Sequence, residues 1–312
     1  MIVNQLGPEV RAAIADHWSH PLIIDHPAGR SPWDLPDDAD VLFTRPFAGW
    51  DKAPAIKPAG WPFALRWIQT ASTGVDFFPP WLLDGPAVTT GRGISAIPIA
   101  EYVLAAVLGF EKRLDKVRPL GAADWGRGSL GSLSGKVIGI AGFGSIGRAV
   151  AERALAFGMA VKVLRRSSWQ DPEPGIEPVT SIEALVESVD HLVLALPATS
   201  KTTHLIDAGV LAHARRSLHL INVARGRIID QPALLRALDA GQLAGATLDV
   251  TDPEPPPDGD PIYRHPKIVL TPHISWTGGD NGKRLAEKVA ANLDAYVRGA
   301  PLADIFDKNL EY

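Results

Sequence analysis

Residues 136–164, KVIGIAGFGSIGRAVAERALAFGMAVKVL, constrain the fold more than any other stretch of this chain. They read as an apolar strand, a glycine-rich turn, a helix and a second apolar strand. Gly142 permits a tight turn, Gly144 lets backbone approach a pyrophosphate, and Gly147 lets helix and strand pack closely. The helix start then offers unpaired N–H groups and the positive end of its dipole to phosphate. A lone GxGxxG is a weak signal. Here a strand precedes it, a helix opens from it and a second strand follows at βαβ spacing, so the stretch predicts a dinucleotide site in a doubly wound parallel sheet. The expected cofactor contacts in the turn are Gly142, Phe143, Gly144, Ser145, Ile146 and Gly147.

At the end of the second strand an NAD site usually carries an acid that holds the ribose diol. This chain has Arg165 there, followed by Arg166, Ser167 and Ser168. A carboxylate would repel the 2′-phosphate of NADP, whereas two guanidinium groups can hold it by charge-assisted hydrogen bonds. The bland alternative is a solvated charge pair past a strand end. The missing acid favours NADPH as the preferred cofactor, with NADH as the lesser alternative.

Around this unit, short apolar runs alternate with helical patterns, which argues for an α/β fold with helices covering parallel sheets. LIID (22–25), VLFT (41–44) and LRWIQT (65–70) read as strands before the glycine turn. HLVLAL (191–196), HLINVA (219–224), ATLDV (246–250) and KIVLT (267–271) read as strands after it. The segment 97–117 predicts one long helix, apolar nearly all round, suited to bridging domains or lining a dimer interface. Residues 285–299 predict an amphipathic helix.

Composition narrows the function. A formal net charge of −4 gives no general attraction to nucleic acid or anionic membrane. With no cysteine, disulfides, thiolate nucleophiles and thiolate metal sites are excluded. The start of the chain lacks a signal-peptide pattern and no apolar run is long enough for a membrane span, so a cytoplasmic enzyme without membrane or nucleic-acid partners is expected. His17 and His20 resemble a metal pair, but no ligand cluster accompanies them, and no metal is expected.

The remaining motifs fall at strand ends, where a doubly wound sheet binds its ligands. In ALPATSKTTHLI, Leu196 and Pro197 end a strand, and Thr199, Ser200 and Thr202 are expected to cap a following helix. In INVARGRIID, Val223 and Ala224 lead to Arg225, whose planar fork suits a carboxylate or carbonyl oxygen. Asp249 and Glu254 flank the next strand end, and His273 follows the last strand, after Pro272. Singly these are a salt-bridge partner, a cap, a solvated acid and a core histidine. Together they form an acid–base set beside a nucleotide crevice.

From about residue 88 onward, GFGSIG, LPATSKTTHLI, NVARGRIID, LDV..PEP and TPHIS follow one another in an order and spacing that resemble the D-isomer-specific 2-hydroxyacid dehydrogenases. Before residue 88 the resemblance rests mainly on ASTGVD (71–76). The resemblance implies Arg225, Glu254 and His273 as catalytic residues. It implies Thr73 and Gly74 as amide donors to the substrate carboxylate, Asp249 as a contact of the nicotinamide amide, and Trp276 near the substrate. It implies a Rossmann-type nucleotide domain, residues 98–275, inserted in a smaller flavodoxin-like substrate domain made of 1–97 and 276–312. It further implies a homodimer with the helix from Pro98 near the interface. Thr90 and Trp276 depart from residues common in the family. The arginine pair looks most like the NADPH-linked glyoxylate/hydroxypyruvate reductases, which implies reduction of a small 2-keto acid with protonated His273 as the proton donor. Reduction of larger 2-keto acids, or dinucleotide sensing without catalysis, are the alternatives.

Overall fold

A computed structural model describes residues 1–27, 29–126, 129–171 and 173–312. The chain divides into two compact units, one of Met1–Ile94 with Gly278–Tyr312 and one of Ser95–Thr277.

The first unit is a five-stranded parallel sheet: β1 (Ile2–Asn4), β2 (Ile23–Asp25), β3 (Val41–Thr44), β4 (Trp67–Thr70) and β5 (Ala87–Thr89). Its spatial order is β2-β1-β3-β4-β5, the flavodoxin-like arrangement. Helix α1 (Pro8–Ala15) and the C-terminal helix Asn281–Val297 bury Val10, Ile14, Val289 and Leu293 with Val41, Phe43 and Trp67 of the sheet. Trp50, Trp61 and Trp81 fill a second core with Ile68 and Leu82. The indole nitrogens there find partners, as buried ones generally must: Trp50 Nε1 donates to Thr44 Oγ1 at 2.8 Å and Trp61 Nε1 to the Trp81 carbonyl at 3.1 Å. Asn292, on the C-terminal helix and only 2% exposed, donates to Gln69 Oε1 of β4 and accepts from the Ala303 amide, both at 2.9 Å. One buried amide thus ties the two ends of the chain into a single unit.

The second unit holds α2 (Ala96–Lys112), β6 (Val137–Ala141), α3 (Ser145–Ala156), β7 (Ala160–Leu164), β8 (Ile176–Val179) and α4 (Ile182–Ser188). It continues with β9 (His191–Leu194), α5 (Ala208–Ala212), β10 (His219–Asn222), α6 (Gln231–Asp239), β11 (Gly245–Leu248) and β12 (Ile268–Leu270). The sheet runs β12-β11-β10-β9-β6-β7-β8, all parallel. Counted from β6, this is the 3-2-1-4-5-6 Rossmann order with a seventh strand added. Two cores flank it. One contains Leu185, Leu211, Leu234 and Leu238 of α4–α6, and the other Val103, Val107, Val150 and Ala154 of α2 and α3.

Three expectations need correction. The helix drawn over 97–117 stops at Lys112, because Arg113 takes a left-handed conformation (φ 45°) and donates its N–H to the Gly109 carbonyl. Helix formers such as Glu111, Lys112 and Leu114 hide that stop. Thr199, Ser200 and Thr202 do not cap a helix. Thr202 Oγ1 instead accepts from the Thr199 amide and donates to the Pro197 carbonyl, both at 2.7 Å, closing a turn, while Asp207 caps the short α5. Strands β1, β5 and β8 went unread, since three or four residues leave almost no periodicity. Among the described residues no group of His, Cys, Asp and Glu forms a metal cluster, and no helix is long and apolar enough to cross a membrane.

Candidate active site

The order of strands in the second unit reverses between β6 and β9, the place where such sheets open a ligand crevice. The glycine turn sits there. Gly142 has φ +100°, and a Cβ on it would come within 2.5 Å of the Ala195 carbonyl oxygen, so only glycine lets β6 pass so close to the end of β9. A Cβ on Gly147 would fall 2.2 Å from the Gly142 oxygen, so its absence allows α3 to start against the turn. A Cβ on Gly144 would meet nothing within 4 Å. That open space at the start of α3, a helix of 12 residues, is what a phosphate group needs. The turn therefore fits a dinucleotide. Phe143, Ser145 and Ile146 belong to it, and Leu196 and Pro197 follow β9 on its far side.

After β7, Arg165 is held in place by its own loop. Its Nε donates to the Ser167 carbonyl at 2.9 Å, its Nη2 to the Ser168 carbonyl at 2.5 Å, and its guanidinium lies 4.2 Å from the Trp169 ring centroid. Beside it is a cavity of about 540 Å³ bordered by Arg148, Arg165, Ser167, Ser168, Gln170, Asp171 and Glu173. Arg166 is exposed and is not part of that lining.

The residues expected to form an acid–base set follow the ends of β10, β11 and β12. Asn222, fully buried at the end of β10, donates to the Arg225 carbonyl at 2.9 Å and accepts from the Ala224 amide at 3.0 Å. This pair of bonds folds the Val223–Ala224 link and presents Arg225. Val223 packs into the core and is 6% exposed, so only its backbone can serve a ligand. The next residue, Gly226, lies against the loop after β11: a Cβ there would fall 1.9 Å from the Thr251 carbonyl carbon. That close approach brings the Arg225 loop to the Glu254 loop.

Glu254 Oε1 and His273 Nδ1 are 2.6 Å apart. Burial pushes the Glu254 carboxyl up, but the hydrogen bond and charge of His273, the Thr251 amide and the Arg225 guanidinium outweigh it and hold it below the usual range. The carboxylate form accepts from Nδ1–H, which fixes the orientation of the ring.

His273 occupies a left-handed turn (φ 53°), an uncommon conformation for a residue with a side chain, and the structure braces it. Its amide donates to the Asp249 carbonyl at 2.8 Å, and its own carbonyl accepts from Trp276 Nε1 at 2.8 Å. The Asp249 carboxylate, 1% exposed, accepts from Thr271 Oγ1 at 2.6 Å and from the amides of Ile274 and Ser275 at 2.9 Å. Tyr102 of α2 extends the chain, its hydroxyl 2.6 Å from Thr271 Oγ1. Burial, opposed by the Thr271 bond and reinforced by Asp249, keeps that phenol protonated above its ordinary range. Asp249, expected as a cofactor contact, is thus built first as a brace for the turn that carries His273. Asn222, Thr271 and Tyr102 escaped the sequence reading. Asn222 ends β10, Thr271 follows β12 directly and Tyr102 lies on α2, and only the fold brings Tyr102 to Thr271.

Thr73 and Gly74 belong to the first unit, in the loop after β4. That loop is closed by Thr70 Oγ1 donating to the Ser72 carbonyl at 2.9 Å and Ser72 Oγ to the Gly74 carbonyl at 2.6 Å.

Comparison with known proteins places this geometry. Residues 102–275 match the family model described as D-isomer specific 2-hydroxyacid dehydrogenase, NAD binding domain. A glyoxylate reductase of Korarchaeum cryptofilum is 41% identical over 168 residues, 53% of this chain and 50% of that protein, so this match spans half the relative's length. A glyoxylate reductase of Thermofilum pendens is 34% identical over 247 residues, 75% of this chain and 73% of that one. A solved D-isomer specific 2-hydroxyacid dehydrogenase family protein from Aeromonas salmonicida superposes with a TM-score of 0.80 at 28% identity, covering 98% of this chain and 97% of its own. On these matches the chain belongs to the D-isomer specific 2-hydroxyacid dehydrogenase family.

Proposed function

We propose that this protein reduces small 2-keto acids, of the size of glyoxylate or hydroxypyruvate, to D-2-hydroxy acids, with NADPH preferred over NADH. The observation that carries the reading is the 2.6 Å Glu254–His273 pair, with the carboxyl held ionised and the histidine turn braced by Asp249. The relatives in Korarchaeum and Thermofilum are both named glyoxylate reductase, which supports a small substrate. On this reading Ser95–Thr277 is the nucleotide domain and the two chain ends together form the substrate domain.

When bound, the nicotinamide supplies the hydride that reaches the substrate's carbonyl carbon. His273 Nε2 delivers a proton to the carbonyl oxygen, and Glu254 orients the ring for that transfer through the bond at Nδ1. Arg225 polarises the carbonyl and grips the substrate carboxylate through its fork. The amides of Thr73 and Gly74 are proposed as further donors to that carboxylate, and Trp276 as a wall for the substrate. Gly142–Gly147, Leu196, Pro197, Thr202 and the Val223–Ala224 backbone would hold the dinucleotide. Arg165, with Arg166 and Ser167 nearby, would hold its 2′-phosphate.

A second copy of the chain is proposed as partner. Between Arg113 and Leu130 the chain exposes Leu114, Val117, Leu120, Trp125 and Leu130, apolar surface of the kind that marks an interface.

Steady-state assays with a panel of 2-keto acids and both cofactors test this reading. It expects the highest kcat/KM with a small 2-keto acid and NADPH. Equal or better use of NADH removes the cofactor assignment, and turnover confined to large 2-keto acids removes the substrate class.

A further inference from the structure

We propose that Arg148 is a second cation for the 2′-phosphate and that Glu173 competes with the phosphate for it, so that this ion pair sets the size of the NADPH preference. The inference rests on the cofactor reading above and adds two residues to it.

Four side chains form a continuous stack beside the cavity after β7. The Arg165 guanidinium lies 4.2 Å from the Trp169 ring centroid, and Trp169 lies 5.4 Å from Phe143. Phe143 in turn carries the Arg148 guanidinium at 4.6 Å from its centroid. Both arginines border the same cavity. An aromatic ring holds a guanidinium by its flat face, which leaves the in-plane N–H groups to bind oxyanions. The stack therefore fixes two phosphate-binding forks in one place, one following β7 and one in the first turn of α3.

The two forks differ in what already occupies them. Arg165 spends two donors on the carbonyls of Ser167 and Ser168, which fixes its position while adding no competing charge. Arg148 is paired through Nη1 with the Glu173 carboxylate. A cofactor carrying a 2′-phosphate must take Arg148 from Glu173, whereas one without it leaves the pair closed. The side chains of Arg148 and Glu173 are 49% and 44% exposed, so the pair is weak enough to be exchanged for a ligand of nearly two charges. Glu173 then opposes NADPH binding through Arg148.

Isothermal titration of NADP⁺ and NAD⁺ into wild type, Glu173→Gln, Arg148→Met and the double variant tests this. Methionine keeps an apolar stem on Phe143 and removes the charge. The proposal expects Glu173→Gln to tighten NADP⁺ by about 3- to 5-fold and Arg148→Met to weaken it by roughly 10-fold or more. NAD⁺ should stay within about twofold in both. In the Arg148→Met background the Glu173 substitution should lose its effect. If the gain from Glu173→Gln persists undiminished there, Glu173 acts on the phosphate directly and the competition is refuted. An NADP⁺ affinity unmoved by Arg148→Met overturns this proposal alone. Wild type binding NAD⁺ as tightly as NADP⁺ overturns it together with the cofactor reading.

Discussion

At the scale of single residues, the proposed proton transfer rests on a short Glu254–His273 contact and the hydrogen bonds behind it. Glu254 is held ionised and touches His273, so the imidazolium form has a charge partner. Replacing Glu254 with Gln removes that partner. With the ring no longer held through its Nδ1 bond, kcat for reduction should fall by roughly 10-fold or more while NADPH affinity changes little. A variant that keeps the wild-type kcat would show that the pair does not serve the reaction. Asp249→Asn tests the brace. One carboxylate oxygen becomes an amide donor facing groups that themselves donate, so the Ile274–Ser275 turn must shift. We expect kcat to fall by about 10-fold or more with cofactor affinity changed much less, because misplacing a reacting group costs rate before binding. A variant that loses cofactor binding and keeps kcat would instead make Asp249 chiefly a ligand contact.

At the scale of elements, the start of the second sheet carries a polar chain that the chemistry does not use. His191 and His219, in register on β9 and β10, place their Nδ1 atoms 3.2 Å apart, and His219 Nε2 is 2.9 Å from Thr247 Oγ1 on β11. Phe110 of α2 stacks on His219 at 4.2 Å, and Glu111 reaches His191 Nε2 at 3.2 Å and Lys136 at 2.9 Å. Burial depresses His191 to about 4, against the pull of Glu111. Burial with the neighbouring His191 depresses His219 to about 3. The unfolded chain takes up protons on these rings near pH 6.5, and the folded chain does so only well below that. Stability is therefore fully present above pH 6.5 and lost as pH falls toward 4, by roughly 3 kcal/mol from His191 alone. Thermal melts from pH 8 to pH 4.5 should show Tm falling through that window, and His191→Gln should flatten the fall. An equally steep fall in the variant would clear the pair of responsibility. The contact between loops is as testable: Gly226→Ala puts a methyl into the Thr251 carbonyl, and both Tm and kcat should drop. Wild-type values for both would show that the loops can move apart freely.

At the scale of the whole molecule, the second unit was far more legible than the first. Its strands are apolar runs punctuated by glycine and proline, so β6, β7, β9, β10, β11 and β12 stood out, and Arg225, Glu254 and His273 each sat just beyond one of them. The first unit is built from strands of three or four residues separated by Pro- and Trp-rich loops, so β1 and β5 offered no period to read. The site's supports were hidden for a different reason. Tyr102 and Thr271 are 169 residues apart, and nothing local in either stretch signals the partner. The expected helix overruns α2 only as far as residue 117, and the loop beyond it exposes Leu120 at 93% and Trp125 at 77%. If a second copy covers it, Leu120→Ser with Trp125→Ser should lower the sedimentation-equilibrium mass from two chains to one. A wild type of one chain's mass would remove the dimer from the account.

The central claim is that His273, held by Glu254, donates the proton in reduction of a 2-keto acid. The most direct measurement is the steady-state reduction of glyoxylate and hydroxypyruvate by wild type and His273→Ala, with NADPH binding titrated in parallel. The account predicts a loss in kcat of roughly 10²- to 10⁴-fold, the usual worth of a general acid, with NADPH affinity little changed. Reduction by His273→Ala at close to the wild-type rate would contradict it.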